Sequence, residues 1–216
     1  MKALMSAFLL LPAAASAEAI DFETAAVGAP PTGWSVAMTS PGGAPRWAIE
    51  RDPSSPAGEK VLAQLSDDRT SGRFPLAIYD AAETTNGEIS AHFKPVSGRV
   101  DQAAGLVWRY RDANNYYLVR ANALENNVVL YKVENGRRTS LGTLGRSGDY
   151  GVKHTVPWQQ WSTLSVAFRG SRFTVSFDGQ KLFEVEDSTF AGPGKVGFWT
   201  KADSVTYFDG LEIRPE

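Results

Sequence analysis

Short runs of β-branched and aromatic residues recur along the chain from Lys60 onward, and they constrain its fold more than any other feature. Turn signals separate these runs at intervals of about 8–12 residues, which is the spacing of antiparallel sandwiches. Within residues 87–95, Ile89, Ala91 and Phe93 alternate with polar residues, as on a strand with one buried face. Helical periodicity is essentially absent. The pattern therefore predicts an all-β, antiparallel fold.

The same pattern predicts strands at residues 61–65, 87–95, 104–111, 116–123, 127–133, 161–168, 173–177, 181–185, 195–200 and 204–213, and a further strand that begins near Arg138. Two dipeptides, Asn135-Gly136 and Asp178-Gly179, accept positive φ at both central positions of a two-residue turn, so they predict tight hairpins. Residues 24–56 are rich in Gly, Pro, Ser and Ala, with Trp34 and Trp47 spaced through them. We expect loops and one or two short strands there, and no separate domain.

Residues 1–17 have the pattern of a signal peptide. Lys2 precedes a compact apolar stretch at residues 3–11, and Ala15-Ser16-Ala17 gives the small-x-small motif of a cleavage site. The stretch is too short for a bilayer span, which needs roughly 20 apolar residues. We expect cleavage before Glu18, a single domain over residues 18–216, and a periplasmic or secreted location.

Composition excludes several classes of site and partner. The chain has no cysteine, which excludes thiolate zinc sites, cysteine nucleophiles and disulfides, so burial alone must stabilise the domain. It carries 22 Lys and Arg against 24 Asp and Glu, for a net charge of −2, with no basic block. Nucleic acid and anionic membrane surfaces are therefore disfavoured as partners, and no membrane insertion is expected. The oligomeric state is left open.

Residues 105–117, which read GLVWRYRDANNYY, resemble the central hairpin of the laminin-G-like and 3-keto-disaccharide hydrolase families. These families belong to the concanavalin A-like lectin/glucanase superfamily. The strand that begins at Trp161, the Asp178-Gly179 hairpin, residues 197–204 and the final strand around residues 207–211 are also similar to that superfamily. The resemblance implies a jelly-roll sandwich of two curved antiparallel sheets. It also implies that carbohydrate is bound or cleaved on the concave sheet face.

One departure from the superfamily excludes a particular chemistry. Family 16 glycoside hydrolases have a Glu-x-Asp-x-x-Glu strand that presents three carboxylates on one face. The nearest segment of this chain is Glu184-Val185-Glu186-Asp187, which lacks the third acid. Family 16 glucanase chemistry is therefore rejected.

Strand alternation predicts a polar binding face. If the central strands pair as consecutive neighbours, Arg109, Arg120, Asn122 and Lys132 share one face of the sheet. Aromatic rings stack on sugars, while Arg and Asn donate hydrogen bonds to hydroxyls or to an acidic group. The residues predicted to bind substrate are His92, Arg109, Tyr116, Arg120, Asn122, Lys132, Trp199 and Lys201. The alternative is a solvated sheet face whose charges pair across strands.

Acidic residues supply the catalytic and metal candidates. Glu125, in the turn after residue 123, is the candidate general acid or base, with Asp101 and Asp203 as alternates. Asp209, together with Asp21 or Glu23, is the candidate for a structural calcium site, the only cofactor expected. The two histidines, His92 and His154, lack the spacing of a metal centre.

Three functions follow from these residues. The first is an exported carbohydrate-active enzyme that hydrolyses glycosides or 3-keto-disaccharides, which requires a pocket with a suitable carboxylate. The second is a non-catalytic, lectin-like carbohydrate-binding module, which requires an aromatic groove and no perturbed acid. The third is a structural or partner-binding domain, which requires a polar face without a pocket.

Overall fold

A computed structural model describes residues 17–146 and 150–216. In these residues the backbone forms sixteen β-strands and no helix. The strands are β1 (Glu18–Ile20), β2 (Trp34–Thr39), β3 (Trp47–Arg51), β4 (Lys60–Gln64), β5 (Phe74–Thr84), β6 (Gly87–Ser97), β7 (Ala103–Asp112), β8 (Asn115–Asn122), β9 (Asn127–Glu134), β10 (Arg137–Ser140), β11 (Val152–Lys153), β12 (Ser162–Arg169), β13 (Arg172–Phe177), β14 (Gln180–Glu186), β15 (Gly194–Trp199) and β16 (Val205–Pro215).

The strands form two antiparallel sheets. Sheet I has the order β14-β13-β12-β6-β16-β4-β3, with β1 paired to β16. Sheet II has the order β10-β9-β8-β7-β15-β5-β2, with β11 paired to β9. Strands distant in sequence are neighbours in both sheets, as where β15 lies between β5 and β7. The predicted all-β jelly-roll sandwich of the concanavalin A-like kind is confirmed.

The main core lies between the two sheets. Ile89, Ala91 and Phe93 of β6 point inward, as their alternation predicts, and share one apolar cluster with Leu106 and Trp108 of β7. Burial of apolar surface contributes about 25 cal/mol per Å², so this cluster is the main source of stability in a chain without disulfides.

Both predicted hairpins are confirmed. Asn135 and Gly136 have φ of 51° and 77°, and Asp178 and Gly179 have φ of 46° and 76°. Positive φ at both central residues is the type I′ turn, whose twist matches the flanking strands. The first turn joins β9 to β10, and the second joins β13 to β14.

Strand β5 is absent from the sequence-based prediction. It pairs with both β2 and β15. Its second residue is Pro75 and its end contains Ala81, Ala82 and Glu83, all residue types that are depleted in strands. Pairing on both sides therefore overrides a weak local preference.

The predicted signal peptide lies almost entirely at residues 1–16, outside the described residues, so it stays a prediction along with the domain boundary at Glu18. The described part of the chain holds no helix with the length and apolar character that crossing a bilayer requires.

Candidate binding site

A second buried apolar cluster lies on the outer face of sheet II, on the side away from the main core. It includes Phe74, Val107, Leu118, Tyr131 and Trp199. On a sheet face in contact with water these apolar side chains would be exposed, and they would then contribute no hydrophobic stabilisation. Other parts of the chain therefore cover this face, and the polar groups beside the cluster are shielded from water.

Arg120 of β8 is the central polar group of this face. It lies opposite Val129 of β9 and is completely buried. Its Nη2 donates to Glu125 Oε2 at 2.8 Å and to Asn127 Oδ1 at 2.6 Å. Asn127 Nδ2 donates to the same Glu125 oxygen at 3.0 Å. The three side chains thus form a closed triangle of charge-assisted hydrogen bonds at one end of the β8–β9 hairpin.

Aromatic rings hold the guanidinium groups of Arg120 and Arg138 in place. The Arg120 guanidinium carbon lies 5.7 Å from the Tyr131 ring centroid and 5.8 Å from that of Tyr150. The Arg138 guanidinium lies 4.5 Å from the Tyr131 ring and 5.5 Å from the Trp199 ring. These cation–π contacts form a continuous stack across sheet II, which fixes the positions of both cations.

Asn122 connects this triangle to a second ion pair. Its Nδ2 donates to Asp101 Oδ1 at 2.6 Å, and its Oδ1 accepts from the Leu124 amide at 2.9 Å. The other oxygen of Asp101 pairs with Lys201. Asn122 therefore fixes both the turn that carries Glu125 and the carboxylate of Asp101.

A cavity of about 530 Å³ opens beside this network. Its lining residues are Asn127, Arg146, Tyr150, Gly151, Val152 and Lys153. The Tyr150 side chain is half exposed, at 50%, so one part of its ring is open to a ligand while another part contacts Arg120. Small-molecule sites are concave and combine aromatic groups with a few fixed polar ones, and this cavity has both.

Strand β11 forms one wall of the cavity because it pairs with the start of β9, Val152 opposite Val128 and Lys153 opposite Asn127. The close approach depends on Gly151, where φ is +64° and a Cβ would lie 2.3 Å from the Val128 carbonyl oxygen. Only glycine accommodates both conditions. The wall is thus specified by one residue whose role the sequence pattern does not reveal.

The environment of Glu125 determines its chemistry. Burial raises the pKa of Glu125, but hydrogen bonds and charge from Arg120, with a further bond from Asn127, outweigh burial and hold that pKa below its ordinary value. A general acid needs a raised pKa to stay protonated at neutral pH. Glu125 is therefore ionised and acts as a hydrogen-bond acceptor that orients Arg120.

The structure brings together four of the predicted residues, Arg120, Asn122, Glu125 and Lys201, and joins Asp101 to them. Asp203, the other alternate, binds backbone amides at residues 99–101 instead. Residues missed from the sequence are Asn127, Tyr131, Arg138, Arg146, Tyr150 and Lys153. Period-2 alternation of Val129, Tyr131 and Val133 could have assigned Tyr131 to this face, whereas the short β11 gives no such signal.

The prediction that Arg109 shares this face is wrong. Arg109 has φ of 48° and lies in a β-bulge between Trp108 and Asp112, so the alternation of β7 breaks there. The buried guanidinium donates to the carbonyl oxygens of Thr85, Phe190 and Gly170 at 2.7 to 3.0 Å. Arg109 therefore ties three loops together.

The prediction for Lys132 is also wrong, because the turn between β8 and β9 sets the opposite register. Lys132 pairs with Tyr117, which faces the main core, while its neighbour Tyr131 faces outward. Its ammonium lies 2.7 Å from Thr189 Oγ1 and 3.4 Å from Asp187. Lys132 thus binds the segment between β14 and β15.

Three other predicted residues lie away from the cavity or beneath the surface. Tyr116 and Trp199 are on the outer face of sheet II but are fully buried, and the Tyr116 hydroxyl is 2.7 Å from Thr39 Oγ1. They pack beneath the site and do not line the cavity. His92 belongs to β6 in sheet I, where its Nδ1 is 2.9 Å from Thr163 Oγ1, so its predicted place on this face is wrong.

Asp209, the calcium candidate, is buried in sheet I. Its carboxylate accepts hydrogen bonds from the Ser55 hydroxyl and from the Gly210 amide. Within residues 17–146 and 150–216, no three His, Cys, Asp or Glu side chains come together as a metal site would require. The expectation of a calcium ion at Asp209 thus gains no support, since its oxygens serve the protein's own donors.

A second cavity, of about 300 Å³, lies near the N-terminal strand. Phe22, Trp34 and Tyr79 contribute its aromatic lining, and Asp21 contributes a carboxylate. Trp34 packs against both other rings, with centroid distances of 5.6 and 5.4 Å. Among the residues that the structure describes, no network of mutually bonded side chains like that of Arg120, Glu125 and Asn127 adjoins this second cavity.

Several solved structures are similar to this fold. The carbohydrate-binding module CBM66 from Bacillus subtilis has 22% sequence identity and a TM-score of 0.60, covering 84% of this chain and 96% of that one. A β-glucanase from Bacillus licheniformis has 12% identity and a TM-score of 0.56, covering 94% and 99%. Domain 4 of AbnA, a GH43 extracellular arabinanase from Geobacillus stearothermophilus, in complex with arabinotriose, has 14% identity and a TM-score of 0.55, covering 91% and 90%.

At these identities the likeness shows the fold alone. No protein-family model matches the sequence, and no curated protein matches it either. The fold is that of the concanavalin A-like sandwiches. The finer resemblance to the 3-keto-disaccharide hydrolases stays a prediction.

Proposed function

We propose that this protein binds carbohydrate, without cleaving it, in the cavity beside Tyr150. The observation that carries the proposal is the half-exposed Tyr150 ring at a cavity whose adjoining polar groups, Arg120 and Asn127, are already fixed by their own contacts. An aromatic ring stacks on the apolar face of a sugar, and preorganised polar groups add orientation at little entropic cost. Proteins of similar fold include a carbohydrate-binding module and a domain of an arabinanase in complex with arabinotriose, which supports the proposal by analogy.

Hydrolysis of glycosides or 3-keto-disaccharides is the second candidate, favoured by the partly exposed carboxylate of Glu125 near the cavity. Most glycosidases need two carboxyl groups, one of which acts as an acid. On this face, Glu125 is held ionised by Arg120, and Asp101 is bonded to Asn122 and Lys201. Binding without turnover is therefore the better account.

The experiment compares binding and turnover on one panel of glycosides, 3-keto-glycosides and soluble polysaccharides. Binding is measured by calorimetry and products by chromatography, for the wild type, Tyr150→Ala and Glu125→Gln. Trp158→Ala is the matched control, because Trp158 is similarly exposed, at 55%, and its indole donates to the Val96 carbonyl on β6.

We expect Tyr150→Ala to weaken binding by about fivefold or more, since an aromatic contact is worth about 1 kcal/mol. Trp158→Ala leaves binding unchanged. Product formation that Glu125→Gln abolishes contradicts the proposal and establishes hydrolysis. Absence of binding to every saccharide contradicts both and favours a structural or partner-binding role.

We also propose that the protein is exported to the periplasm or secreted, with Glu18 as its first mature residue. The charged, apolar and small-residue sequence pattern at residues 1–17 supports this. Cell fractionation and N-terminal sequencing test it. A full-length cytoplasmic protein that retains Met1 contradicts it.

A further inference from the structure

The charges around the larger cavity are unbalanced. Its two cationic lining residues, Arg146 and Lys153, are exposed and form no ion pair with any residue that the structure describes. Among the described residues, Lys153 Nζ donates only to a neutral acceptor, the Glu125 carbonyl oxygen, at 3.3 Å. The two carboxylates of the adjoining network, Glu125 and Asp101, are already paired with Arg120 and Lys201.

Five cationic side chains belong to this end of the outer face: Arg120, Arg138, Arg146, Lys153 and Lys201. The described carboxylates there are Asp101, Glu125 and Asp203, which accepts the Asp101 amide at 3.0 Å and lies 3.9 Å from a sixth cation, Arg69. The excess of cations persists when Asp149, which precedes Tyr150 in the sequence and lies outside the described residues, is counted as a fourth acid. The protein as a whole is acidic, with a net charge of −2, so this positive region is local.

The site also has more unused hydrogen-bond donors than unused acceptors. The acceptor oxygens of Asp101, Glu125, Asn122 and Asn127 each already receive protein donors. In contrast, the guanidinium of Arg146 donates to no acceptor among the described residues, and Lys153 Nζ donates only to the Glu125 carbonyl oxygen there. A sugar hydroxyl both donates and accepts, whereas a carboxylate or sulfate only accepts. The site is thus matched better to an acceptor-rich ligand than to a neutral one.

From these two imbalances we propose that the cavity selects acidic saccharides, whose carboxylate or sulfate group binds Arg146 and Lys153 while a sugar ring lies against Tyr150. This inference rests on the proposed function, because it names the ligand class of the same site. Carboxylate and sulfate share the chemistry that the cations recognise, and the two are separated by experiment.

The test uses saccharide pairs whose members differ only at the acidic group. Trigalacturonate is compared with its methyl ester, glucuronate-substituted xylotriose with its carboxyl-reduced form, and a sulfated galactan disaccharide with its desulfated form. Dissociation constants are measured for the wild type, Arg146→Gln and Lys153→Gln. The matched controls are Arg172→Gln and Lys181→Gln, at exposed positions on β13 and β14 of sheet I.

We expect the acidic member of at least one pair to bind tenfold or more tightly than its neutral partner. Arg146→Gln and Lys153→Gln should each weaken that binding about three- to fivefold, as exposed ion pairs do, and the controls should not. Neutral members that bind as tightly as acidic ones overturn the inference while the proposed function stands. If no member of any pair binds and no saccharide of the wider panel binds, the proposed function fails as well.

Discussion

Replacing Arg120 with methionine removes the centre of the candidate site while keeping an unbranched, apolar side chain in its place. Arg120 is completely buried, and its guanidinium binds Glu125 and Asn127 and stacks on Tyr131 and Tyr150. The buried amide oxygen of Asn127 then loses its donor, and Glu125 loses its counter-ion. We therefore expect Arg120→Met to destabilise the whole domain as well as the site.

The size of the effect follows from these contacts. A hydrogen bond with a charged donor contributes about 1.5–3 kcal/mol to the free energy of unfolding. The bond from Arg120 to Asn127 is assigned the upper part of that range because both partners are buried. The Glu125 side chain is 38% exposed and recovers water, so its bond is set near the lower end. Methionine retains apolar contacts that offset the lost stacking. The net expected loss is about 3–4 kcal/mol of unfolding free energy, within the range for breaking a buried ion pair.

Urea unfolding at pH 7, followed by tryptophan fluorescence, measures this loss. Arg51→Met is the control, because Arg51 is an exposed arginine of β3 whose pair with Glu59 spans 3.8 Å, and it should change stability by about 0.5 kcal/mol or less. Glu125→Gln keeps an acceptor for Arg120 and should cost about 1 kcal/mol. A loss below about 1 kcal/mol for Arg120→Met, with an unchanged denaturant slope, would refute the assigned role of Arg120.

Three further predictions concern the surrounding structure. Gly151→Ala should destabilise by about 1–3 kcal/mol and weaken saccharide binding, since its Cβ meets the Val128 carbonyl at 2.3 Å; equal stability and affinity would contradict the account of the cavity wall. Asp203→Ala should lower stability by about 2 kcal/mol, because its carboxylate accepts the amides of Arg99, Val100 and Asp101 at 2.8 to 3.0 Å, and thermal unfolding measures it. Burial raises the pKa of Asp209 above 3.8, against hydrogen bonds from Ser55 and Gly210 that lower it, so the contribution of Asp209 to stability should fall as pH rises from about 4 through that raised pKa. Asp209→Asn should raise the unfolding midpoint at pH 7 and abolish that fall, and a lower midpoint would show that the ionised form stabilises the fold.

The sequence predicts the fold well because the fold depends on repeated local signals. Alternation in β6, β8 and β9 and the two Gly-containing turns each specify a strand or hairpin locally. Strand β5 is missed because pairing with β2 and β15 overrides its weak local preference.

The site is predicted less well because it depends on register and on non-local contacts. Arg120, Asn122 and Glu125 lie close in sequence, so alternation and turn position are enough to group them. The β-bulge in β7 turns Arg109 away from the outer face of sheet II, and the turn between β8 and β9 places Lys132 on the core-facing side of the sheet. Tyr150 contacts Arg120 only because β11 pairs with β9. This pairing involves two residues of β11, and no periodicity in the sequence predicts it.

The central claim is that saccharide binds beside Tyr150, and nuclear magnetic resonance titration of the ¹⁵N-labelled protein tests it most directly. The ligand is the saccharide that binds most tightly in the panel. We predict that the largest amide shifts occur at Asn127 and at residues 150–153, and that Tyr150→Ala suppresses them. Largest shifts at Phe22 and Trp34, beside the smaller cavity, or at His92 on sheet I, would contradict the account.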